Sequence, residues 1–498
     1  MHLLVSAIQF LAVFALVILV FNVIIVAHEL GHFLAARWRG LHVEKFQIWF
    51  GKPIWKKTIN GVQYGLGCIP AGGFVALPQM APMELLEGKH DSQTGAPLAP
   101  ISPLDKIIVA FAGPLFSFLL AILLAVVVWV FGYPASKSAN STVIGGVQYD
   151  SGAYKAGLEP GDEVLQVDGK PVTTFSGMVD SITWAVISSR NDDIDFVVRR
   201  NGQELTKTVH APVPKPDPKM PWWQRMFQRP DVRRAGIMPK QTPILVGEVK
   251  PNGPAELAGL KKGDIVVGMN GKPLLNYFQI SEHIAASNDA PISFNITRDG
   301  KALPTVTIKP RIPEIPGSIP RDELTPSVGF RPMLEKYRPE QDRDTVNQHV
   351  PPHVQIESTV RTMMNTLGAV FSPKSGVSAS HLSGPVGIMH LYYRLFLNPD
   401  GWKLVLWFSV LLNVNLAVLN LLPFPILDGG HITMAIIECL FRRTVSLKIL
   451  EIVNAGCAIL LLGFMLYLSG FDAGELFRNR SAHFQDYSFE PPAKTATP

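Results

Sequence analysis

Four long apolar stretches punctuate this chain, separated by segments of ordinary polar composition. Residues 3–27, 107–135 and 452–470 carry no charged side chain, and 402–422 carries one, Lys403. A helix crosses a bilayer with ~20 apolar residues. The pattern therefore predicts a multi-pass α-helical membrane protein with four spans: 1–40, 107–135, 402–431 and 452–470. Residues 43–77 read differently. Short β-prone runs alternate there with Gly and Pro, and Asn60-Gly61 is a strong hairpin signal, so a small membrane-associated β-sheet is expected. Residues 354–371 space their apolar positions (Val360, Met363, Met364, Leu367, Val370) as an amphipathic helix does. The segment from Pro78 to Ser102 reads as loop, and 471–498, rich in Pro and small residues at its end, as a flexible tail.

Between the second and third spans lies a long soluble region that contains an internal repeat. Ser151-Gly-Ala-Tyr-Lys-Ala-Gly-Leu-Glu-Pro-Gly-Asp162 is echoed by Gly253-Pro-Ala-Glu-Leu-Ala-Gly-Leu-Lys-Lys-Gly-Asp264. A β-prone run precedes each copy, and a second run ending in Asp168-Gly169 or Asn270-Gly271 follows it. Two copies indicate tandem modules; a solenoid would need three or more. The A-x-x-A-G-L-x-x-G-D stretch resembles the PDZ domain in its bacterial protease-associated form, which implies two α+β domains, at 141–212 and 243–332, each offering a strand edge to a peptide end. Gly236-Ile-Met-Pro239 and Gly329-Phe-Arg-Pro332 echo each other without an evident physical reason. The linker 212–242 is rich in proline and carries the aromatic and basic tract Trp222 to Arg229, suited to a membrane interface or simply to solvent.

Composition excludes some classes. The net charge of the 498-residue chain is only +5 and is dispersed, so no nucleic-acid partner is indicated. The three cysteines, Cys68, Cys439 and Cys457, all lie outside the soluble middle, so no disulfide staples it. The first span begins with no basic region and no small-residue cleavage site, which reads as a retained helix.

The candidate chemistry sits at the end of the first span, in His28-Glu29-Leu30-Gly31-His32. Two histidines four apart share a helix face at a spacing that suits zinc, and the intervening glutamate can act as general base. Ionisable groups inside a membrane span are costly and usually functional. A catalytic zinc keeps three protein ligands and one open position. Candidates for the third ligand are Asp428, His431, Glu438 and Glu451. Asp428 is favoured, because Pro423 and Pro425 must interrupt a helix and leave that carboxylate on unwound backbone at the end of a span. Arg37, Arg39, Lys45, Lys106, Arg442, Arg443 and Lys448 flank the ends of the spans on one side. The positive-inside rule puts that side, with the motif and Asp428, at the cytoplasmic face. The repeat region and both termini then lie outside the cytoplasm; Arg478 and Arg480 argue mildly against this.

Taken in order, the HELGH motif, Pro70-Ala-Gly-Gly-Phe-Val75, Ala112-Gly113-Pro114, the two repeats, Ser383-Gly384-Pro385 and Leu427-Asp428-Gly429 resemble the site-2 protease family of intramembrane zinc metalloproteases. The resemblance covers nearly the whole chain. It implies Asp428 as the third zinc ligand beside His28 and His32, Glu29 as catalytic base, and Asn415 and Asn420 as substrate-handling residues. It further implies a bacterial inner-membrane enzyme whose substrate is a single-pass transmembrane protein, such as an anti-sigma factor, already trimmed by another protease. Two readings compete: a PDZ-containing membrane scaffold with a vestigial metal site, and a metal transporter. The intact Glu29 argues against the first, and the soluble repeat has no evident use in the second.

Overall fold

The computed structural model describes residues 2–80, 101–215, 218–222, 228–287, 289–314, 325–333, 344–372, 375–398, 400–441, 447–479 and 488–489. The chain divides into two compact units: 1–134, 348–363 and 382–473 form the first, and 135–347, 364–381 and 474–498 the second.

The first unit contains the apolar helices. Helix α1 (His2–Trp38) is followed by two long strands, β1 (Lys45–Ile59) and β2 (Val62–Ala76), and by α2 (Pro103–Phe131). After the soluble region come α3 (Pro352–Val370), α4 (Pro385–Phe396), α5 (Gly401–Asn420), α6 (Asp428–Phe441) and α7 (Leu447–Asn479). Among the described residues, four helices are long and apolar enough to cross a membrane: the bulk of α1, α2, α5 and much of α7. Helix α2 starts at Pro103, with Ser102 capping the Asp105 N–H, a common N-terminal arrangement for Pro and Ser. Its buried face is a stripe of small residues, Ala110, Gly113, Ser117, Ala121 and Ala125, against which α1 and α5 pack. In lipid, where apolar burial drives little, such small residues let helices approach closely.

The expected sheet over 43–77 is present and is more folded than one hairpin. The turn at Asn60-Gly61 joins β1 to β2, and both strands bend, so that Lys45–Ile48 pairs with Gln63–Leu66 on one side and with Gly73–Ala76 on the other. Gln47 holds the bend, donating from Nε2 to the carbonyls of Trp49 and Gly51, each at 3.0 Å. Trp49 has a positive φ of 68°, a conformation rare for a bulky residue. Its indole N–H is held by Asn22 of α1. The sheet is thus tied to the first helix two turns before Glu29.

Several expected boundaries move. The segment read as one element over 402–431 is two helices with a turn between them. Asp428 is the first residue of α6 and not part of unwound backbone. Gly429 and Gly430 permit this, because a side chain on either would collide with the carbonyls of Leu421, Leu422 or Phe424 as the turn folds back over the helix start. Ser383-Gly384-Pro385 is not an isolated turn; it opens α4, with Pro at the first position. The tail reading for 471–498 is also corrected: α7 runs on to Asn479, and Ser488 forms a bridge with Glu314.

The second unit holds the two repeats as separate cores. One is built around Ile144, Val164, Phe196 and Val198 and the other around Val246, Val266, Phe294 and Phe330. The echo of Gly-x-x-Pro acquires a physical account. Ile237–Pro239 pairs antiparallel with Ile144–Val147, and Phe330–Pro332 pairs antiparallel with Ile244–Val249. Each echo is the closing strand of its module, returning to pair with the strand that opened it. The first module therefore ends near 239 and not at 212, and the linker is an excursion inside it.

The aspartate of each Gly-Asp pair is the anchor of its module. Asp162 and Asp264 are each 1% exposed. Arg200 grips Asp162 with Nε and Nη2 at 2.6 and 2.7 Å, and Arg298 grips Asp264 in the same way at 2.6 and 2.8 Å. The same arginines donate to the carbonyls of Gly157 and Gly259, joining the loop to the neighbouring strand in both modules. Burial pushes the Asp264 carboxyl up. Hydrogen bonds from Arg298 and the Lys261 N–H outweigh this and hold it below its ordinary value. A carboxylate whose folded pKa is depressed contributes stability above its unfolded pKa and loses it as pH falls through the folded one. Asp264→Ala should therefore destabilise the second module by about 3 kcal/mol at pH 7. The difference from wild type should shrink as pH drops below ~4, read as the gap between their thermal unfolding midpoints across pH. A gap that stays constant down to pH 3 would sink the assignment.

Candidate active site

Helix α1 places His28 and His32 one turn apart, with their imidazole Nε2 atoms 3.3 Å from each other. Asp428, at the start of α6, sets Oδ2 3.2 Å from His28 Nε2 and Oδ1 3.4 Å from His32 Nε2. Among the described residues this is the one His/Cys/Asp/Glu grouping whose donor atoms all fall within 4.8 Å. Ligands arranged tetrahedrally at ~2.0–2.1 Å from zinc stand roughly 3.3 Å apart. The three donors already have that spacing, and two imidazole nitrogens with one carboxylate are a donor set of the kind that holds catalytic zinc. Three donors are the number that a catalytic zinc would take from protein.

The second nitrogen of each ring is also committed. His28 Nδ1 lies 3.0 Å from Ser117 Oγ, and His32 Nδ1 lies 2.8 Å from the Val109 carbonyl. The carbonyl can only accept, so His32 carries a proton on Nδ1, and Nε2 is the nitrogen that faces Asp428. Such partners orient metal-binding histidines and fix their tautomer. Both partners belong to α2, which also supplies Gly113. A side chain at Gly113 would overlap the His32 ring and crowd His28 Nε2, and one at Gly31 would overlap the Ala112 carbonyl. The glycine of each motif thus admits the backbone or rings of the other helix. This is the physical content of HELGH on α1 and Ala-Gly-Pro on α2.

Glu29 is partly buried. The Val75 backbone hydrogen-bonds to its carboxyl, with His32, His28 and Asp428 all near enough to act on its charge. Gly73 of the sheet lies against Ile25 and Glu29. Asn420, the last residue of α5, brings Nδ2 to 3.5 Å from His28 Nε2, at the rim of the cluster. Asn415 is one and a half turns back; its side-chain oxygen is buried with no hydrogen-bond partner, and it does not join the cluster. Of the rival third ligands, Glu438 is engaged elsewhere, in a 2.8 Å ion pair with Lys106 that fastens α6 to α2. His431 lies one turn beyond Asp428 and outside the grouping, and the side chain of Glu451 lies outside the described residues. Sequence reasoning missed Ser117 and Val109. The signal was present in the spacing: 109, 113 and 117 fall four apart, on one face of α2 centred on the Gly113 that the reading had already marked.

A family model described as Peptidase family M50 matches residues 16–464, most of the chain. The chain belongs to this family. It is an intramembrane zinc metalloprotease. It is 28% identical over 481 residues to the regulator of sigma E protease of Salmonella typhi, covering 90% of this chain and 96% of the relative. It is likewise 28% identical over 481 residues to the regulator of sigma-E protease RseP of Escherichia coli, with the same coverage. A putative zinc metalloprotease of Vibrio cholerae is 29% identical over 455 residues, covering 87% of this chain and 92% of the relative. Like the family reading that the motifs suggested, these likenesses run along nearly the whole chain. The M50 assignment and the apolar helices together make it a multi-pass membrane enzyme.

Proposed function

We propose that this M50 peptidase performs regulated intramembrane proteolysis in the bacterial inner membrane, hydrolysing a bond within the transmembrane segment of a single-pass protein. The observation that carries the proposal is the meeting of His28, His32 and Asp428 beside Glu29, with a sheet edge alongside. In this reading His28, His32 and Asp428 hold zinc and Glu29 is the catalytic base. Zinc, when bound, polarises the scissile carbonyl and acidifies a water molecule. Glu29 takes the proton from the attacking water on its carboxylate and delivers it to the leaving amine nitrogen. Asn420, at the rim, donates from Nδ2 to the oxygen that gains charge, and Asn415, on the same helix, is a second substrate-handling residue.

A substrate helix satisfies its peptide groups internally and must unwind before it is cut. The Gly73–Ala76 strand pairs with Lys45–Ile48 on one side only, among the described residues, and runs past Glu29. It therefore suits strand addition, in which helix hydrogen bonds are exchanged for sheet ones. The two modules act as PDZ domains on the extracytoplasmic side and restrict entry to substrates whose outer portion has been shortened. The names of the Salmonella and Escherichia relatives make a sigma-factor regulator the first substrate to try. Two versions of a reporter with one transmembrane helix, reconstituted with the enzyme, test this. The version trimmed outside the membrane should be cut, and the version with a folded outer domain should be cut at least ~10-fold more slowly. Equal cutting would remove the modules from substrate selection.

A further inference from the structure

Ser488 and Phe489 lie beyond the last helix, in the stretch expected to be a flexible tail, yet they are built into the second module. Ser488 and Glu314 exchange both backbone hydrogen bonds, at 2.9 and 2.8 Å, as neighbouring antiparallel strands do. The Phe489 side chain is 4% exposed. Its ring rests against Gly253, and the Arg311 guanidinium stands 5.8 Å from the ring centroid, within cation–π range. The same guanidinium donates to the Asn252 carbonyl at 3.1 Å, so the arginine connects the ring to the turn that opens the repeat motif.

Comparing the two modules makes the ring's place more than incidental. Ser151 opens the motif in the first module, and its hydroxyl caps the short helix by accepting the Tyr154 N–H. Gly253 stands there in the second module, and its helix has no side-chain cap. A Cβ at Gly253 would come within 3.0 Å of the Phe489 ring and 2.8 Å of the Lys250 carbonyl. The second module lacks the capping hydroxyl at a position where a side chain would crowd both the Lys250 carbonyl and the aromatic ring.

We infer that the second module carries a peptide-binding site formed by the Asn252-Gly253 turn, Arg311 and the backbone at Glu314, and that its occupant is Ser488-Phe489 of this same chain. The site takes an extended segment with an aromatic side chain: backbone pairing supplies the register and the ring supplies the anchor. The inference does not rest on the protease reading. It does require the tail and the loop between the second and third spans to share one face of the membrane, as four crossings provide.

The test uses the full-length protein with its three native cysteines replaced by serine and cysteines introduced as Glu314→Cys and Ser488→Cys. Residues that exchange both hydrogen bonds have Cα atoms ~5.5 Å apart, inside the range a disulfide spans. Mild oxidation should cross-link most of the protein, and adding Phe489→Ala or Gly253→Ser should lower that fraction several-fold. Resistance of the second module to limited proteolysis, measured alongside, should stay unchanged, which separates loss of docking from loss of folding. No cross-link, or the same cross-link in the Phe489→Ala background, overturns the proposal. So does labelling of a lone Ser488→Cys by a membrane-impermeant thiol reagent only after the cytoplasmic side has been opened. That outcome would indict the topology and leave the enzymatic reading standing.

Discussion

Glu29→Gln should lower peptide-bond hydrolysis by about 10²–10⁴-fold, the usual contribution of a positioned proton acceptor, while zinc stays at one per chain. The amide keeps the size of the carboxyl and can still meet the Val75 backbone that touches Glu29, but it cannot take a proton. Glu29 is not one of the three grouped donors His28, His32 and Asp428, so the metal should be indifferent to the change. A purified preparation assayed on a trimmed reporter, with zinc measured on the same sample, decides the matter. If zinc leaves together with activity, Glu29 is part of the metal's support and the assignment of the base is wrong. If activity survives near wild-type levels, the proton is moved by another group, and His431, one turn beyond Asp428, becomes the next to examine.

Gly113→Ala should do the opposite and empty the site. The added methyl has nowhere to go: it would overlap the His32 ring and press on His28 Nε2, the two donors that face each other at 3.3 Å. Relief requires either that α1 move away from α2 or that the rings rotate off Ser117 and the Val109 carbonyl. Both routes spread the donors. Loss of the partners that orient metal-binding histidines alone costs 10–100-fold in metal affinity, and displacing the ligands themselves should cost more. The expected result is a protein that inserts and keeps both modules folded, retains little zinc after dialysis against a weak chelator, and has correspondingly little activity. Full zinc retention by Gly113→Ala would mean that the helices can separate without disturbing the site. An alanine at Gly157, which meets only the far end of Lys207 but has a φ of +74°, is a useful contrast. It should strain the first module's turn and leave the metal alone.

Much of the site was legible because it is written in local spacing. His28 and His32 are four apart on a helix that hydropathy alone identifies. Asp428 follows two prolines that have to end a helix. Ser117 was harder, because a serine that orients a histidine looks like any serine in a small-residue stripe until the facing helix is placed. The sheet was legible as a hairpin from Asn60-Gly61. Its second pairing was not, since it depends on bends at Trp49 and Gly51 whose only trace is one glycine among many. The closing strands of the modules were invisible as pairings, although their echo was plain. Each is three residues long and pairs with a partner some ninety positions away, too short and too distant for periodicity to report. Pro385 read as a turn because proline marks the first residue of a helix as readily as the end of one.

The closing strand of the first module has a consequence for how that module tolerates damage. Its opening strand, Ile144–Val147, and its closing strand, Ile237–Pro239, lie on opposite sides of the 212–236 excursion, and both belong to one core in which Ile144, Val209 and Ala235 are buried together. A break in the chain within the excursion would therefore separate the covalent halves of the protein without separating the folded ones. The fragment bearing α1, the sheet and α2 would stay attached to the fragment bearing Asp428 through strand pairing and shared apolar packing. His28, His32 and Asp428 could then remain one site although they had come to belong to two polypeptides.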